Sequence, residues 1–402
     1  MFRNSNKINE TKKRIIMSAA FGALLVVSVL GITANTARAA ARAADNVNMN
    51  ISSRGAYLMD FKTGTPIFEY KSTARHPIAS MVKIMTLDLV YQDIEAGKLG
   101  YDDMVTVSEN ASGMGGSQAF LDAHKQYKVS DLITSITIAS ANDACVAIAE
   151  HLEGSVEGFV NRMNAKAAAL GMENTKFANC TGLPSEGQQY SCARDSAVML
   201  RDLIGHGGYF NFSRIWMKDL VHEGGRITGL TNTNKLIRAY EGCDGGKTGF
   251  TVEALHCLSA TAQRGGMRLI SVVVGAPDSK VRFAEVSKMF NYGFANYANK
   301  VIVQKDMPVE QAIPVAFGKA ATVTARTAGE FTVFGSKSEA GKGITTETEL
   351  YELKAPVMKD AVVGKMKVLK DGAEIGAVDL IANDTVLKKT FGDVYNDFIH
   401  AW

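Results

Sequence analysis

The spacing of hydrophobic and polar residues changes along the chain, and each spacing predicts a different element. Residues 55–70 hold two short apolar runs on either side of a turn at residues 62–64, which predicts a β-hairpin. Apolar residues then recur every three or four positions over residues 81–89, ahead of a stop at Gly97. This second pattern predicts a helix directly after the hairpin.

Helical spacing continues through the middle of the chain. Ser130 is expected to cap a largely apolar helix that breaks at residues 140–143 and resumes as far as Leu152. A further helix is expected over residues 155–170, ending at Gly171. Strand-like runs and one more helix follow at residues 255–261, 267–274 and 279–290. This order predicts an α+β fold: an antiparallel sheet flanked by helices, with its first and last strands adjoining.

The texture changes near Tyr297. Many short β-rich runs separated by glycine turns occupy residues 297–383, and they predict a small all-β second domain. Residues 384–402 return to a helical period, with one apolar face formed by Leu387, Phe391, Val394, Tyr395, Phe398 and Trp402. A helix of this length and polarity can lie in a membrane interface, so we expect the tail to bind a membrane surface. The alternative is a helix docked on its own domain.

The first residues are typical of a targeting segment. A basic stretch precedes an apolar run over residues 15–32, and alanine-rich small-x-small sites follow it. We predict a signal peptide over residues 1–43 and a main domain over residues 50–296, in an exported protein. An uncleaved membrane helix is the alternative, because the apolar run is close to spanning length.

Composition and charge exclude several classes. The chain has 402 residues, 46% of them hydrophobic, and a net charge of +3, which is too balanced to indicate a nucleic-acid partner. Its five cysteines are an odd number, so an exported protein would keep at least one free thiol or form an intermolecular bridge. None of them has the spacing of zinc ligands. We expect buried thiols at most of these positions, with no metal and no cofactor.

Candidate chemistry begins at the front of the first predicted helix. Ser80 and Lys83 are three residues apart, so on a helix they share one face and the amine can reach the hydroxyl. A serine hydroxyl is a weak nucleophile until a neighbouring base takes its proton. Lysine can be that base only when it is neutral, and burial favours the neutral form.

Two further motifs complete a known set. Ser140-Ala141-Asn142 lies in the break between helices, and Lys247-Thr248-Gly249 precedes the last strands. Each motif alone is weak, but the three in this order are the set found in serine β-lactamases and penicillin-binding proteins. Ser140 can relay a proton to a leaving amine, and Asn142 can orient Lys83 and a substrate amide.

The last motif supplies recognition of an anion. Lys247 offers positive charge and Thr248 a hydroxyl donor to a substrate carboxylate. Gly249 lets a substrate strand approach the sheet edge. The backbone N–H groups of Ser80 and Phe250 would form the oxyanion hole.

With these motifs the chain resembles the low-molecular-mass penicillin-binding proteins that are serine-type D-alanyl-D-alanine carboxypeptidases, the S11 peptidases. The resemblance covers nearly the whole mature chain and includes residues 77–79, 171–177, 193–195 and 244–251. It implies release of the terminal D-alanine from peptidoglycan pentapeptides and acylation by β-lactams. It also implies a location at the outer face of the cytoplasmic membrane.

The resemblance draws two arginines into the candidate site. Arg282 and Arg194 match family positions at which a guanidinium can pair with a carboxylate. A structural ion pair is the alternative for each. His256 departs from the family pattern after the third motif, and we expect it to face away from the chemistry.

Three other functions remain open on these residues. A class A β-lactamase needs a glutamate-activated water, and no Glu-x-x-Leu-Asn segment lies between Asn142 and Lys247. A non-catalytic peptidoglycan-binding protein would have no need of the intact motif side chains. A D,D-endopeptidase acting on cross-links is the nearest alternative, although such relatives usually lack the second domain.

Overall fold

The computed structural model describes residues 49–400. The predicted signal peptide and Trp402 lie outside the described residues. Contacts between Cα atoms divide the chain into two compact units, one ending at Ala295 and the other beginning at Asn296.

The first unit is mixed α and β. In chain order its elements are β1 (Gly55–Asp60), β2 (Pro66–Tyr70), α1 (Lys83–Glu95), β3 (Met104–Thr106), α2 (Glu109–Ser112), β4 (Gln126–Lys128), α3 (Val129–Thr134), α4 (Asn142–Glu153), α5 (Val156–Ala169), α6 (Ala193–Leu203), α7 (Tyr209–Ser213), β5 (Met217–Val221), β6 (Ile227–Thr231), α8 (Leu236–Ala239), β7 (Cys243–Thr251), β8 (Leu255–Arg264), β9 (Met267–Ala276) and α9 (Ser279–Asn296).

Five of these strands form one antiparallel sheet in the order β2-β1-β9-β8-β7. The first strand of the chain therefore pairs with the last strand of the unit, as predicted, with Leu58 opposite Ser271. Strands β8 and β9 are buried along most of their length, so the sheet is covered on both faces. Strand β7 is an edge strand, and one side of its backbone is open to another partner.

Helix α1 runs through the interior of the unit. Residues 83–91 are all buried, and they include the polar side chains of Lys83, Thr86 and Asp88. Helix α3 continues through a wide π-helical turn, Ser135–Ala139, which ends at Ser140 in the left-handed conformation. The predicted break between the two central helices is thus confirmed.

The predicted cap at Ser130 is wrong. Helix α3 begins at Val129, and no side chain caps it. The backbone N–H groups of Val129 and Ser130 instead donate to the carbonyl oxygens of Asp103 and Tyr101, each at 2.9 Å. Because the preceding loop already satisfies these donors, the helix needs no side-chain cap.

The second unit is all β apart from its last helix. Its elements are β10 (Tyr297–Val303), β11 (Pro308–Ala316), β12 (Thr322–Thr327), β13 (Phe331–Ser336), β14 (Ile344–Leu350), β15 (Leu353–Lys354), β16 (Val362–Lys370), β17 (Ala373–Ala382) and α10 (Phe391–His400). Six strands pair in the order β14-β16-β17-β12-β11-β15, and β10 pairs with β13. Aliphatic side chains such as those of Val363, Val368 and Leu380 form its core.

The tail becomes helical later than residue 384. Val386 is buried and exchanges backbone hydrogen bonds with Val357, so this residue belongs to the β unit. The helix begins at Phe391, behind Thr390, whose hydroxyl accepts from the Asp393 N–H at 3.3 Å. Phe391 is 88% exposed, and no described residue of α10 is buried. Among the described residues, no helix combines the length and apolar character needed to cross a bilayer.

All five cysteines are free and buried. Burial raises the pKa of the Cys145, Cys192 and Cys243 thiols to about 12 and that of Cys257 to about 11. The Cys180 pKa is raised for the same reason. The thiols therefore stay protonated at neutral pH and pack as small apolar side chains.

Candidate active site

Ser80 stands on a tight 3₁₀ turn, Ala79–Val82, that leads directly into α1. The Lys83 Nζ atom, in the first turn of α1, lies 2.9 Å from Ser80 Oγ. Ser80 itself is half-buried. The predicted contact between the two side chains is therefore present, and the serine remains accessible.

Lys83 is fully enclosed. Its Nζ atom donates to Asn142 Oδ1 and to the carbonyl oxygen of Thr181, both at 2.6 Å, in addition to Ser80. Burial lowers the pKa of Lys83 below its usual value. A lysine held in this way loses its proton more readily than one on the surface.

A second serine and lysine meet on the other side of the site. Lys247 on β7 lies with its Nζ atom 2.9 Å from Ser140 Oγ and 3.0 Å from the Thr248 carbonyl oxygen. Burial lowers the pKa of Lys247 well below its usual value, and the neighbouring charge of Lys83 adds to this effect. Two buried ammonium groups so close together disfavour each other's protonation.

Asn142 connects Lys83 to the loop at Gly115. Its side-chain N–H donates to the Gly115 carbonyl oxygen at 2.7 Å, while its oxygen accepts from Lys83. The carboxylate of the next residue, Asp143, is buried and accepts the backbone N–H groups of Ala119 and Leu121 at 3.0 Å. Helix α4 thereby fixes the loop over Asn142.

The edge strand approaches the nucleophile closely. A Cβ atom at Gly249 would lie 2.5 Å from the Ile78 carbonyl oxygen and 3.2 Å from the Ser80 nitrogen. On the opposite side, a Cβ at Gly182 would lie 2.0 Å from the Ala79 carbonyl oxygen, and Gly182 has φ +84°. Only glycine fits at either position, so two glycines set the width of the site around Ser80.

The remaining predicted residues of the third motif lie along the same edge. The Thr248 hydroxyl donates to Thr233 Oγ1 at 2.8 Å. Phe250 is 56% exposed, and its ring stacks on His256, with 4.5 Å between the ring centres. His256 is thus engaged with Phe250.

The two arginines are placed differently. Arg282 donates from Nη1 to the carbonyl oxygens of Gly249 at 3.2 Å and Cys257 at 3.4 Å, so its guanidinium is bound to the edge strand. Burial lowers its pKa. Arg194 lies in the first turn of α6 and pairs with Asp195 at 3.3 Å, the structural alternative.

Sequence reasoning missed several residues that hold the site together. The Thr181 carbonyl oxygen, Gly182 and the Gly115 carbonyl oxygen contribute through the backbone, which carries no side-chain signal. Asp143 had a signal, because an acidic residue directly after the second motif begins a helix.

The geometry defines a class of site. A half-exposed serine is bound by a buried lysine, and a second serine–lysine pair lies opposite it, beside an open strand edge. This arrangement suits acyl transfer through a serine ester, with amine groups as proton carriers.

Comparisons with known proteins agree with this class. Residues 38–278 match the family model described as D-alanyl-D-alanine carboxypeptidase, peptidase S11, and residues 297–388 match the C-terminal domain of penicillin-binding protein 5. The D-alanyl-D-alanine carboxypeptidase DacF of Bacillus subtilis is 36% identical over 349 residues, which cover 85% of this chain and 89% of the relative. DacC of Escherichia coli is 33% identical, with 88% and 90% covered.

Solved structures give the same result. Penicillin-binding protein 5 of Haemophilus influenzae superposes with a TM-score of 0.67 at 30% identity, covering 85% of this chain and 99% of that one. The chain therefore belongs to the D-alanyl-D-alanine carboxypeptidase family, the low-molecular-mass penicillin-binding proteins. It is a serine-type carboxypeptidase of the hydrolase class.

Proposed function

We propose that Ser80 is the nucleophile that removes the terminal D-alanine from peptidoglycan pentapeptides. Its Oγ attacks the carbonyl carbon of the penultimate D-alanine, a C–O bond forms, and the peptide C–N bond breaks. The observation that carries this assignment is the 2.9 Å contact between Ser80 Oγ and the buried Lys83 Nζ. No other serine is assigned as the nucleophile.

Lys83 takes the Ser80 proton in this mechanism. Its lowered pKa supports a neutral amine before the reaction, and Asn142 Oδ1 and the Thr181 carbonyl hold the amine in position. A base placed within hydrogen-bond distance of its proton typically contributes about 10²–10⁴-fold.

Lys247 receives the terminal carboxylate of the substrate, and Thr248 donates to it once its hydroxyl turns away from Thr233. An arriving carboxylate favours the protonated form of Lys247, although burial disfavours it in the free enzyme. The resulting charge then helps keep Lys83 neutral. Substrate binding thereby prepares the base, and Ser140 passes the proton to the leaving amine of D-alanine.

The oxyanion forms between β7 and the Ser80 turn. The Ser80 and Phe250 N–H groups serve as donors, and the absence of a side chain at Gly249 leaves the space between them open. Arg282 supports this edge from behind by binding the Gly249 carbonyl oxygen.

Water then hydrolyses the ester. A β-lactam acylates the same serine, and its ester persists because water attacks it slowly.

The test uses the protein from residue 44 onward with a muramyl pentapeptide. Mass spectrometry of the products should show loss of one D-alanine. The intact-protein mass after penicillin should rise by one adduct, and proteolysis should locate that adduct on the peptide carrying Ser80. Absence of both would leave a non-catalytic wall-binding protein. Cleavage of cross-linked muropeptides without attack on pentapeptide would indicate an endopeptidase, and rapid nitrocefin turnover a β-lactamase.

We further propose that the protein is exported and held at the outer face of the cytoplasmic membrane by α10. Its apolar positions Phe391, Val394, Tyr395, Phe398 and Ile399 are all more than half exposed. Exposed aromatic residues at the end of a helix suit the headgroup layer of a bilayer.

Flotation with liposomes tests the tail. Deletion of residues 391–402 removes α10 but keeps Val386 in the β unit, so the truncated protein should fold and remain in the soluble fraction. The full-length protein should float with vesicles, and both should release D-alanine from a short peptide equally. Flotation of both forms, or of neither, would contradict membrane binding through this helix.

A further inference from the structure

A cleft of about 200 Å³ lies beside Ser80, at the end of β7. Ile78 and Ala79 line it, together with the loop from Gly182 to Gln189 and the turn after β7. One water needs only about 10–15 Å³ of such space. The cleft is therefore large enough for a side chain.

The proposed substrate path leads into this cleft. Lys247, at the site of the terminal carboxylate, comes before Thr251 on β7, and Ser80 lies beside Gly249 between them. A peptide whose C-terminus is bound at Lys247 and whose scissile carbonyl lies at Ser80 continues towards Thr251. The residue before the two D-alanines then reaches the cleft.

Among residues 49–400, Glu253 is the only charged residue that lines the cleft. Its turn is rigid, because the Ala254 N–H donates to Thr251 Oγ1 at 3.1 Å and Arg54 Nη1 donates to the Glu253 carbonyl oxygen at 3.0 Å. Among residues 49–400 the Glu253 carboxylate itself has no ion pair within 4.0 Å. An unpaired carboxylate on a fixed turn attracts a cation.

The opposite wall brings no positive charge. Gln189 Oε1 accepts the N–H groups of Ala178 and Asn179, each at 3.0 Å, so this side chain is committed to its own loop. Leu183 and Pro184 add apolar surface that suits the methylene stem of a long side chain.

We propose that Glu253 is a specificity residue that favours stem peptides with a cationic amine on the residue preceding the two D-alanines. The inference rests on the proposed function, because that function sets the direction of the substrate. The methylene groups of the side chain pack between Ile78 and Leu183, and the ammonium group meets the Glu253 carboxylate at the rim of the cleft.

Two tripeptides test the proposal: acetyl-L-Lys-D-Ala-D-Ala with a free ε-amine, and the same peptide with that amine acetylated. The protein should show a kcat/KM about two- to fivefold higher for the free amine, the range of an exposed ion pair. The preference should shrink at 1 M salt. In Glu253→Gln the two values should converge, and in Glu253→Lys the preference should reverse.

Glu186 offers a matched control. It is an exposed carboxylate in the facing loop but does not line the cleft, so Glu186→Gln should keep the preference. Equal kcat/KM for both peptides in the unaltered protein, or a preference that survives Glu253→Gln, would overturn the proposal while leaving the proposed function intact. Failure to release D-alanine from either peptide would overturn both.

Discussion

The first unit contains two serine–lysine pairs that have the same distance between their side chains but very different separations along the chain. In each pair the lysine Nζ atom lies 2.9 Å from the serine Oγ atom. Ser80 and Lys83 are 3 residues apart along one turn. Ser140 and Lys247 are 107 residues apart and meet only when β7 lies beside the break between α3 and α4.

The two pairs differ in the exposure of the serine and in the groups around the lysine. The local pair presents a half-exposed serine to the substrate, and its lysine has three acceptors around it. In the long-range pair the serine is only 4% exposed, and its backbone is left-handed at φ +64°. In the proposed mechanism the first pair attacks the substrate, and the second pair holds charge and passes a proton.

Loss of the two serines should separate these tasks most strongly. Ser80→Ala should abolish both penicillin labelling and D-alanine release, because the nucleophile is gone. Ser140→Ala should still label, about 10²–10⁴-fold more slowly, because only a proton relay is lost. Gel fluorescence with a labelled penicillin measures both variants. Labelling of Ser80→Ala would refute the assignment.

Exchange of the lysines should give the next largest effect. Lys83→Arg should slow acylation by about 10²–10⁴-fold, because a guanidinium cannot give up its proton. Lys247→Arg keeps a positive charge beside Ser140 and should lose less. Stopped-flow acylation rates give the comparison, and circular dichroism melting confirms that both variants fold. An acylation rate near that of the wild type in Lys83→Arg would show that Lys83 contributes only its positive charge and does not act as a base.

The contact that brings the pairs together can be loosened through Gly249. Gly249→Ala places a methyl group against the Ile78 carbonyl oxygen and should push β7 away from Ser80. A displacement of about 1 Å costs roughly 10²-fold in rate. Gly229→Ala on β6 is the matched control, because its nearest neighbour is 3.8 Å away. Equal acylation rates in the two variants would show that the close approach is unimportant.

The smallest effect concerns coupling between the two lysines. Activity needs neutral Lys83, so it should be present above the lowered Lys83 pKa and fall as the pH drops through it. Amidation of the terminal carboxylate leaves Lys247 less often charged. The Lys83 pKa should then rise, and the acidic limb of the acylation rate should move to higher pH. At a fixed pH below the Lys83 pKa, the rate should fall about tenfold for each unit by which that pKa rises.

Lys247→Ala gives the control for this coupling. Without the second amine, acid and amide substrates should share one acidic limb when the acylation rate at saturating substrate is plotted against pH, because that rate reports the pKa of Lys83 in the substrate complex. If the two substrates share one limb in the unaltered protein as well, Lys247 does not transmit the substrate charge to Lys83.

The local features of the fold could be predicted from sequence, because neighbours along the chain determine them. The β1–β2 hairpin follows from two apolar runs around a turn, and the Ser80–Lys83 contact follows from helical spacing. The three motifs also indicated which distant residues meet. Here the pattern of a known family supplied what spacing alone could not.

Other features depend on contacts that no local pattern encodes. The β5–β6 hairpin went unpredicted because only Leu220 and Leu230 of its ten strand residues are buried, which leaves a weak alternation. The start of α10 was misplaced because Val386 has apolar character suited to either a helix face or a β core. The width set by Gly182 and Gly249 depends on backbone atoms far away in the chain.

The buried thiols allow the rate of local opening of the fold to be measured. A maleimide reacts with thiolate, and burial keeps all five cysteines protonated and covered. Modification in native buffer therefore counts excursions in which a segment separates from its neighbours. Cys145 and Cys180 lie close to Lys83, whereas Cys243 begins β7 and Cys257 lies on β8. The order in which the five cysteines react would show whether the helical interior or the sheet edge opens more easily. A bound β-lactam would slow modification of the cysteines in whichever of the two regions it stabilises.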